Sequence, residues 1–517
     1  MHIPSPSGLQ LTPFVLIQGT SLLLILYLLH KVAYAYLFSP VRHIPGPFWS
    51  RVTSFPLLAA TLKARRAAYA HKLVQKYGPI VVIAPDQVHT TDDVAMKTIY
   101  DRGSLKSSFY HGMGSYKGVR QILGTIDHSS ASAARSNLLR CFQSKNLASL
   151  ADVMESHIAT FISILQDKAK QPDPTIEGVL WFRLLTLDTV TDILWGEEHD
   201  LLAHIDDVRS DFLRKFHHFS QFMALKGFIP FFETWTRLFG TKKYKEMRGD
   251  CYDLDIFARR ALEKWLAGET KSHERDVLSM LMAMNSDIKN PQQTPLEHIP
   301  AYMVEMMAAG SSTTSNTAAI ACWVLARHQD VQHKLRRELF EIFPNHDQVD
   351  MKLCLNLKYL DAVIFEVMRL WPIVPGPLER HIGQSITVGG VTVPPGTVAS
   401  TAAFDQGRRE DVFPNADMFL PDRWLNANEA MKRNWIPFGY GSRSCPGQNL
   451  GMTELKYFLA AIFRQFKSVV PENRDKDVLE MRDVFTASVS IRNGITGKAE
   501  NRCLLQFTPQ PEGIDEV

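Results

Sequence analysis

The residue best placed to do chemistry is Cys445, in the run Pro437-Phe438-Gly439-Tyr440-Gly441-Ser442-Arg443-Ser444-Cys445-Pro446-Gly447. The thiolate is the form of cysteine that ligates metal, and a helix start favours it through free N–H groups and the macrodipole. Helical periodicity begins just downstream, over 447–466. Gly441 and Gly447 permit a tight turn lying close to a flat ligand. A lone cysteine is more often a buried structural thiol; here five residue types at fixed spacing argue for a ligand. The remaining cysteines, at 141, 251, 322, 354 and 503, form no C-x-x-C pair. That pattern fits reduced thiols better than a disulfide framework or a zinc site.

The run matches F-x-x-G-x-R-x-C-x-G, and the chain resembles the cytochrome P-450 superfamily over essentially all of its body. The resemblance implies a haem b whose iron takes its axial thiolate from Cys445, with Phe438 shielding the sulfur and Arg443 facing a propionate. It also gives meaning to Glu366-Val367-Met368-Arg369. Three residues apart on a helix, Glu366 and Arg369 can pair. With Arg423, in Pro421-Asp422-Arg423-Trp424, they make the family's structural triad. Arg135 and Arg380 match two further arginines, and an arginine fork suits a propionate carboxylate. Ala131 stands where the family has an aromatic partner to the first.

Met306-Met307-Ala308-Ala309-Gly310-Ser311-Ser312-Thr313-Thr314 resembles the family's A-G-x-D/E-T-T. Ala309 and Gly310 are expected to clear space above the iron, and Thr313 to bond a helix carbonyl or bound dioxygen. Ser312 replaces the usual acid. Serine relays protons only through water and cannot act as a carboxylate. Glu305 shares a face with Ala309 and Thr313 by i, i+4, i+8 spacing, which suggests a partner on the substrate. A salt bridge to a neighbouring helix is its structural alternative. Val374, in Pro372-Ile373-Val374-Pro375, and the loop near Phe485 complete the expected pocket.

The elements that must position these residues give the fold class: mainly α with small β-sheets (α+β), one large helix-rich domain. Helical patterns cover 62–77, 128–170, 177–196, 203–224, 243–267, 296–327, 329–342, 357–370 and 447–466. Strand signals lie at 80–83, at 386–393 around a Gly-Gly turn, and near 482–508. Between 371 and 445 runs a coil-rich stretch that needs a function to exist in a compact domain. Aromatic residues crowd 212–239; Phe212, Phe216 and Phe219 fall at helical spacing, whereas Phe228, Phe231 and Phe232 suggest a loop dipping into lipid.

Of 517 residues, 45% are hydrophobic, and the net charge is +3. That is too mild for a nucleic-acid partner. No charged residue occurs from Met1 to His30, and roughly Pro13 to Tyr36 is long and apolar enough to span a bilayer. Residues 1–38 are expected to form a transmembrane anchor and 39–517 the catalytic domain, cytosolic on an endoplasmic reticulum membrane because Arg42, Arg51, Lys63, Arg65 and Arg66 follow the span. A cleaved signal peptide is the alternative at Ala33-Tyr34-Ala35, although its charged n-region is missing.

The resemblance implies a monooxygenase that inserts one oxygen atom from O2 into a lipophilic small molecule, a terpenoid or polyketide intermediate of secondary metabolism. No flavin or nicotinamide fingerprint is present, so electrons from NADPH must arrive through a separate cytochrome P-450 reductase, with cytochrome b5 as a further candidate donor. Two other readings stay open at this point. With Ser312 for the acid, the haem could rearrange or dehydrate an oxygenated substrate without NADPH, or the chain could bind haem without catalysis.

Overall fold

The computed structural model describes residues 13–510, apart from 117–118, 197–198, 206–210, 270–274, 287–293, 346–348, 473 and 501. The main helices are α1 (Pro13–Ala33), α2 (Arg66–Tyr77), α3 (His128–Cys141), α4 (Gly178–Trp195), α5 (Asp211–Phe228), α6 (Lys242–Leu266), α7 (Ile299–Arg327), α8 (Gln329–Ile342), α9 (Lys358–Leu370) and α10 (Gln448–Gln465). The 29 residues of α7 make it a shaft about 44 Å long through the molecule. Helix α4 is buried on almost every side and lies against it, with Thr186 Oγ1 donating to Ser311 O at 3.0 Å.

The strands are short. β1 (Ile80–Ala84), β2 (Gln87–Thr90), β3 (Leu105–Lys106), β4 (Arg380–His381) and β7 (Val398–Ser400) form a five-stranded sheet, ordered β1-β2-β7-β4-β3. All pairings are antiparallel except β2 with β7. Between β4 and β7 lies the hairpin β5 (Ile386–Val388) and β6 (Val391–Val393). Its turn glycines, Gly389 and Gly390, have φ of +55° and +79°, the left-handed pair that a two-residue hairpin requires. β8 (Val478–Asp483) and β9 (Ala487–Arg492) bracket Phe485. One large apolar core gathers around α4, α7 and α10, and a smaller one lies beneath the five-stranded sheet.

The class agrees with the sequence reading, and so do most element positions. Two long helical patterns are broken. The first, 62–77, starts late: Ala64 has φ +53°, so α2 begins at Arg66 and Leu62 closes a separate helix, Phe55–Leu62. The second divides into α3, Ser144–Ala148 and Ala151–Ala169, with Gln143 extended at the first break. Neither break contains Gly or Pro, so periodicity alone runs through them. The pattern at 203–224 becomes α5, with 206–210 outside the described residues.

The expectation of a loop dipping into lipid needs correction at Phe228 and Phe232. Phe228 ends α5 and packs on Phe109 at 4.6 Å between centroids. Phe232 is buried against Phe222 and Tyr244. The side chains turned outward are Phe231 (86% exposed), Trp235, Leu238 and Phe239. At the N-terminus, one helical span (Gln18–Phe38) is long and apolar enough to cross a membrane.

Candidate functional site

Cys445 lies three residues before α10 begins at Gln448, in a loop held by its own backbone. Cys445 N–H donates to Phe438 O at 2.8 Å, closing the turn that Gly439 and Gly441 make at φ +75° and +72°. A Cβ on Gly441 would collide with the carbonyl of Tyr100, so glycine is required there on two counts. Phe438 packs on Trp435, whose Nε1 donates to Phe365 O at 2.9 Å, anchoring the loop to α9. Cys445 is the exposed cysteine of the chain, and the other five are buried. Burial among loop atoms pushes its thiol up, and the Gly447 N–H and the Arg135 charge pull the other way. The helix start therefore only offsets desolvation, and a bound metal would be needed to displace the proton.

The cations around this loop have unusual company. Arg135 donates through Nε and Nη2 to Ser444 O, at 3.1 and 2.9 Å, gripping the residue before the cysteine. Arg443 donates to the carbonyls of Thr125, Ile126 and Asp127. Arg380 lies over the rings of Tyr100 and Tyr110, and its Nη1 donates to Glu379 O. Lys106, which sequence reasoning missed, pairs with Arg380 across β3 and β4 and donates to Leu123 O at 2.7 Å. Desolvation, then repulsion from Arg380 and Arg443, holds the Lys106 ammonium well below its ordinary pKa. Among the described residues, no carboxylate forms a salt bridge with any of these four. Lys106 and Arg380 are buried and Arg135 and Arg443 half-buried, and such a cluster of like charges suits an anionic group such as the two propionates of a haem. The side chain of Ala131 lies outside the described residues.

Behind the loop the triad is complete. Arg369 donates two bonds to Glu366, at 2.8 and 2.7 Å, and three to the carbonyls of Gly407, Ala416 and Met418, so all five donors are used. Glu366 also accepts from Arg423, from the N–H of Leu420 and from Trp424 Nε1. Trp424, an unexpected member, therefore has a reason to replace phenylalanine. This network pins the long coil leading to Cys445.

On α7 the expectations meet mixed results. Ala309 is exposed in the middle of a helix buried on both sides, and Thr313 is half-buried one turn further on. Thr313 Oγ1 donates to Ala309 O at 2.7 Å and Ser312 Oγ to Ala308 O at 2.6 Å. Gly310 does something other than clear space at that face. A Cβ there would stand 3.2 Å from Val190, so glycine lets α4 approach α7. Glu305 is likewise corrected: its two oxygens accept the N–H groups of Ile122 and Leu123, at 2.8 and 2.7 Å. Among the described residues it forms no interhelical salt bridge; it clamps the 119–125 segment to α7. Burial pushes its carboxyl up to about 6, although both N–H bonds and Lys106 oppose this.

Val374 is half-buried next to Ile373, whose carbonyl accepts from Ala487 N at 2.7 Å, and so the segment after α9 is stitched to the tip of β8–β9. Phe485, at that tip, packs on Phe109 and Tyr110. Phe109 and Phe228 in turn cover the buried Arg66, which pairs with Glu379 at 2.6 Å. Phe109, Tyr110 and Arg66 carry no motif, and nothing local in the sequence marks them.

The model of the cytochrome P450 family matches residues 44–492. The chain belongs to that family. It is a P450-type monooxygenase, an oxidoreductase whose haem is bound through a cysteine thiolate and which takes O2, electrons from a redox partner and a small-molecule substrate. Its relatives include a benzoate 4-monooxygenase of Aspergillus niger, 26% identical over 509 residues, covering 92% of this chain and 96% of the relative. The fusicoccadiene 8-ol C-16 hydroxylase of Alternaria brassicicola is 26% identical over 473 residues, covering 88% and 92%. The cytochrome P450 monooxygenase alt3 of Alternaria solani is 26% identical over 467 residues, covering 87% and 88%. The named relatives oxidise their substrates, which puts this chain with the oxygen-inserting reading over the isomerase and the carrier.

Proposed function

We propose that this P450 holds its haem through Cys445 and hydroxylates a lipophilic small molecule, a terpenoid or polyketide intermediate, at a membrane surface. The observation that supports the reading is the coincidence of an accessible cysteine in a glycine-shaped loop with four cations that, among the described residues, form no salt bridge. Arg135, Arg380, Arg443 and Lys106 would hold the propionates. A haem held there would supply O2 activation, with the Cys445 thiolate as its electron-donating ligand. Phe438 keeps water from the sulfur, and Arg135 fixes the Ser444 carbonyl and with it the direction of Cys445. Ala309 leaves room at the accessible face of α7, and the Thr313 hydroxyl can exchange its Ala309 carbonyl for an oxygen ligand. Val374, Phe485 and Phe109 supply apolar walls, with the Glu305 clamp holding Ile122 and Leu123 beside them.

The span Gln18–Phe38 supports residues 1–38 as an anchor, with 39–517 as a cytosolic domain on the endoplasmic reticulum membrane. The exposed Phe231, Trp235, Leu238 and Phe239 would rest on the same bilayer, leaving cytosolic reductase and cytochrome b5 as electron donors. Two relatives of equal identity carry different substrates in their names, benzoate and fusicoccadiene 8-ol, so chemistry has to be read from this chain's own pocket. The test is microsomes holding the chain and a reductase, offered terpenoids, polyketides and benzoate with NADPH. A hydroxylated lipophilic product formed with matching NADPH and O2 consumption is expected. Turnover of benzoate alone would overturn the substrate class, and conversion without NADPH would overturn the reaction.

A further inference from the structure

Helix α1 does not simply stop where the body begins. It runs on into a π-helical turn, Tyr34–Phe38, closed where Ser39 N–H donates to Tyr34 O at 2.8 Å. Such turns are rare and gather at functional sites. Here two hydroxyls meet one carboxylate. Ser39 Oγ donates to Asp86 Oδ1 at 2.7 Å, and Tyr34 Oη donates to Asp86 Oδ2 at 3.3 Å. Asp86 lies in the turn between β1 and β2 with φ of +55°, a left-handed backbone that aspartate tolerates better than most residues. Its carbonyl accepts from Val398 N, 3.3 Å away on β7. Among the described residues no cation pairs with Asp86, and both bonds to its side chain come from the end of the span.

A second set of contacts surrounds the first. Arg51 stands over the Tyr36 ring at 5.7 Å and donates to the carbonyls of Arg42 and Ile44. Phe48 stacks on the same ring, with centroids 6.1 Å apart. Ala35 is buried, and Val41 and Ile44 enter the smaller core beneath the five-stranded sheet. His43 Nε2 donates to Thr392 O on β6 at 2.9 Å, and Pro45 O accepts from Val82 N on β1 at 2.9 Å. A Cβ on Gly46 would strike the Val82 carbonyl, so the chain passes flush against that strand. A free tether of this length would let the body swing on its anchor. Residues 34–48 are bonded to the sheet instead, whereas Leu22 to Leu29, higher in the span, are all exposed.

We infer that Asp86 is the docking point of the membrane span. It fastens the end of α1 to the β1–β2 turn, which fixes the angle between span and body and brings the face carrying Phe231, Trp235, Leu238 and Phe239 to the bilayer in one pose. Asp86 is a positioning residue and touches neither haem nor substrate. The inference rests on residues 1–38 being an anchor, and the two can fail separately. A wild-type chain recovered in the soluble fraction ends both, whereas a membrane-bound body that swings freely ends this one alone.

The test uses the full-length holoenzyme in oriented bilayers, where polarised absorption reads the angle of the haem plane. The wild type should hold one angle. Asp86→Gly, which keeps the left-handed backbone without strain, should shift that angle or lose the dichroism. Tyr34→Phe combined with Ser39→Ala removes the same two bonds from the other side; it should behave alike, and it decides the matter if the glycine variant does not fold. Trypsin supplies a readout that needs no haem. Arg42 is exposed but lies in the bonded segment, so release of a body beginning at His43 should be slow in the wild type and on the order of 10-fold faster in both variants, as two bonds to a carboxylate are lost. With 1-dodecylimidazole as the probe, affinity for the haem should fall in bilayers and stay unchanged in detergent. An equal loss in detergent would place the defect in the fold and overturn the inference, as would a wild-type haem angle and cleavage rate in both variants.

Discussion

The cysteine loop at 437–447 and the α7 stretch at 305–317 face the same chemistry but are specified in opposite ways. In the loop, function resides in neighbours along the chain. Two left-handed glycines and one backbone bond set the turn, and a side chain added at Gly441 would meet the Tyr100 carbonyl at once. In α7 the backbone is an ordinary helix, and each residue's role is assigned by what packs against it. Gly310 answers to Val190 on α4, Glu305 to the amides of Ile122 and Leu123, and Thr314 to Glu454 on α10. Contiguous constraints can be read from a motif; distant partners cannot.

Breaking the framework behind the loop should have the largest effect. Glu366→Ala leaves Arg369 buried and uncompensated, so about 3–5 kcal/mol of stability should be lost, measured by denaturant unfolding. Next comes the clamp. The folded pKa of Glu305 is about 6 against an ordinary 4.5, so the folded chain binds more protons in that interval. Stability should therefore fall by about 2 kcal/mol as pH rises from 4.5 to 6 and stay level above it. Glu305→Gln should abolish this slope, and the Ile122 and Leu123 amides should exchange faster; an unchanged slope would return Glu305 to a solvent-like setting. Gly441→Ala should cost about 1–2 kcal/mol for the left-handed backbone, and more for the Tyr100 carbonyl, read as lost haem retention. Thr313→Ala should move stability by less than about 0.5 kcal/mol while reducing product per NADPH. That last split between stability and yield would sharpen the contrast, since the loop variant should lose both together.

Much of the fold was legible. Helix ends at α4, α6, α8, α9 and α10 fall within one or two residues of the predicted patterns; α8 and α9 have a clear apolar face, and α4 is a buried apolar run closed by Gly196. The triad was legible because Glu366 and Arg369 share a helix and Arg423 sits in a recognisable segment, although the carbonyls that use up Arg369 were not. The helix breaks at Ala64 and Gln143 left no Gly or Pro to mark them. Lys106 belongs to the cationic enclosure only through its strand register with Arg380. Phe228 and Phe232 looked lipid-facing beside Gly227 and Pro230, but Phe228 packs on Phe109, far away in the chain, and Phe232 on Tyr244 of the following helix.

The bond between Cys445 and a haem iron is most directly tested by the absorption spectrum of the reduced protein under carbon monoxide. The wild type should give the band of a thiolate-ligated haem, and Cys445→Ser should lose that band even where the chain still folds. An imidazole-type spectrum in the wild type, or an unchanged band in the serine variant, would contradict the assignment.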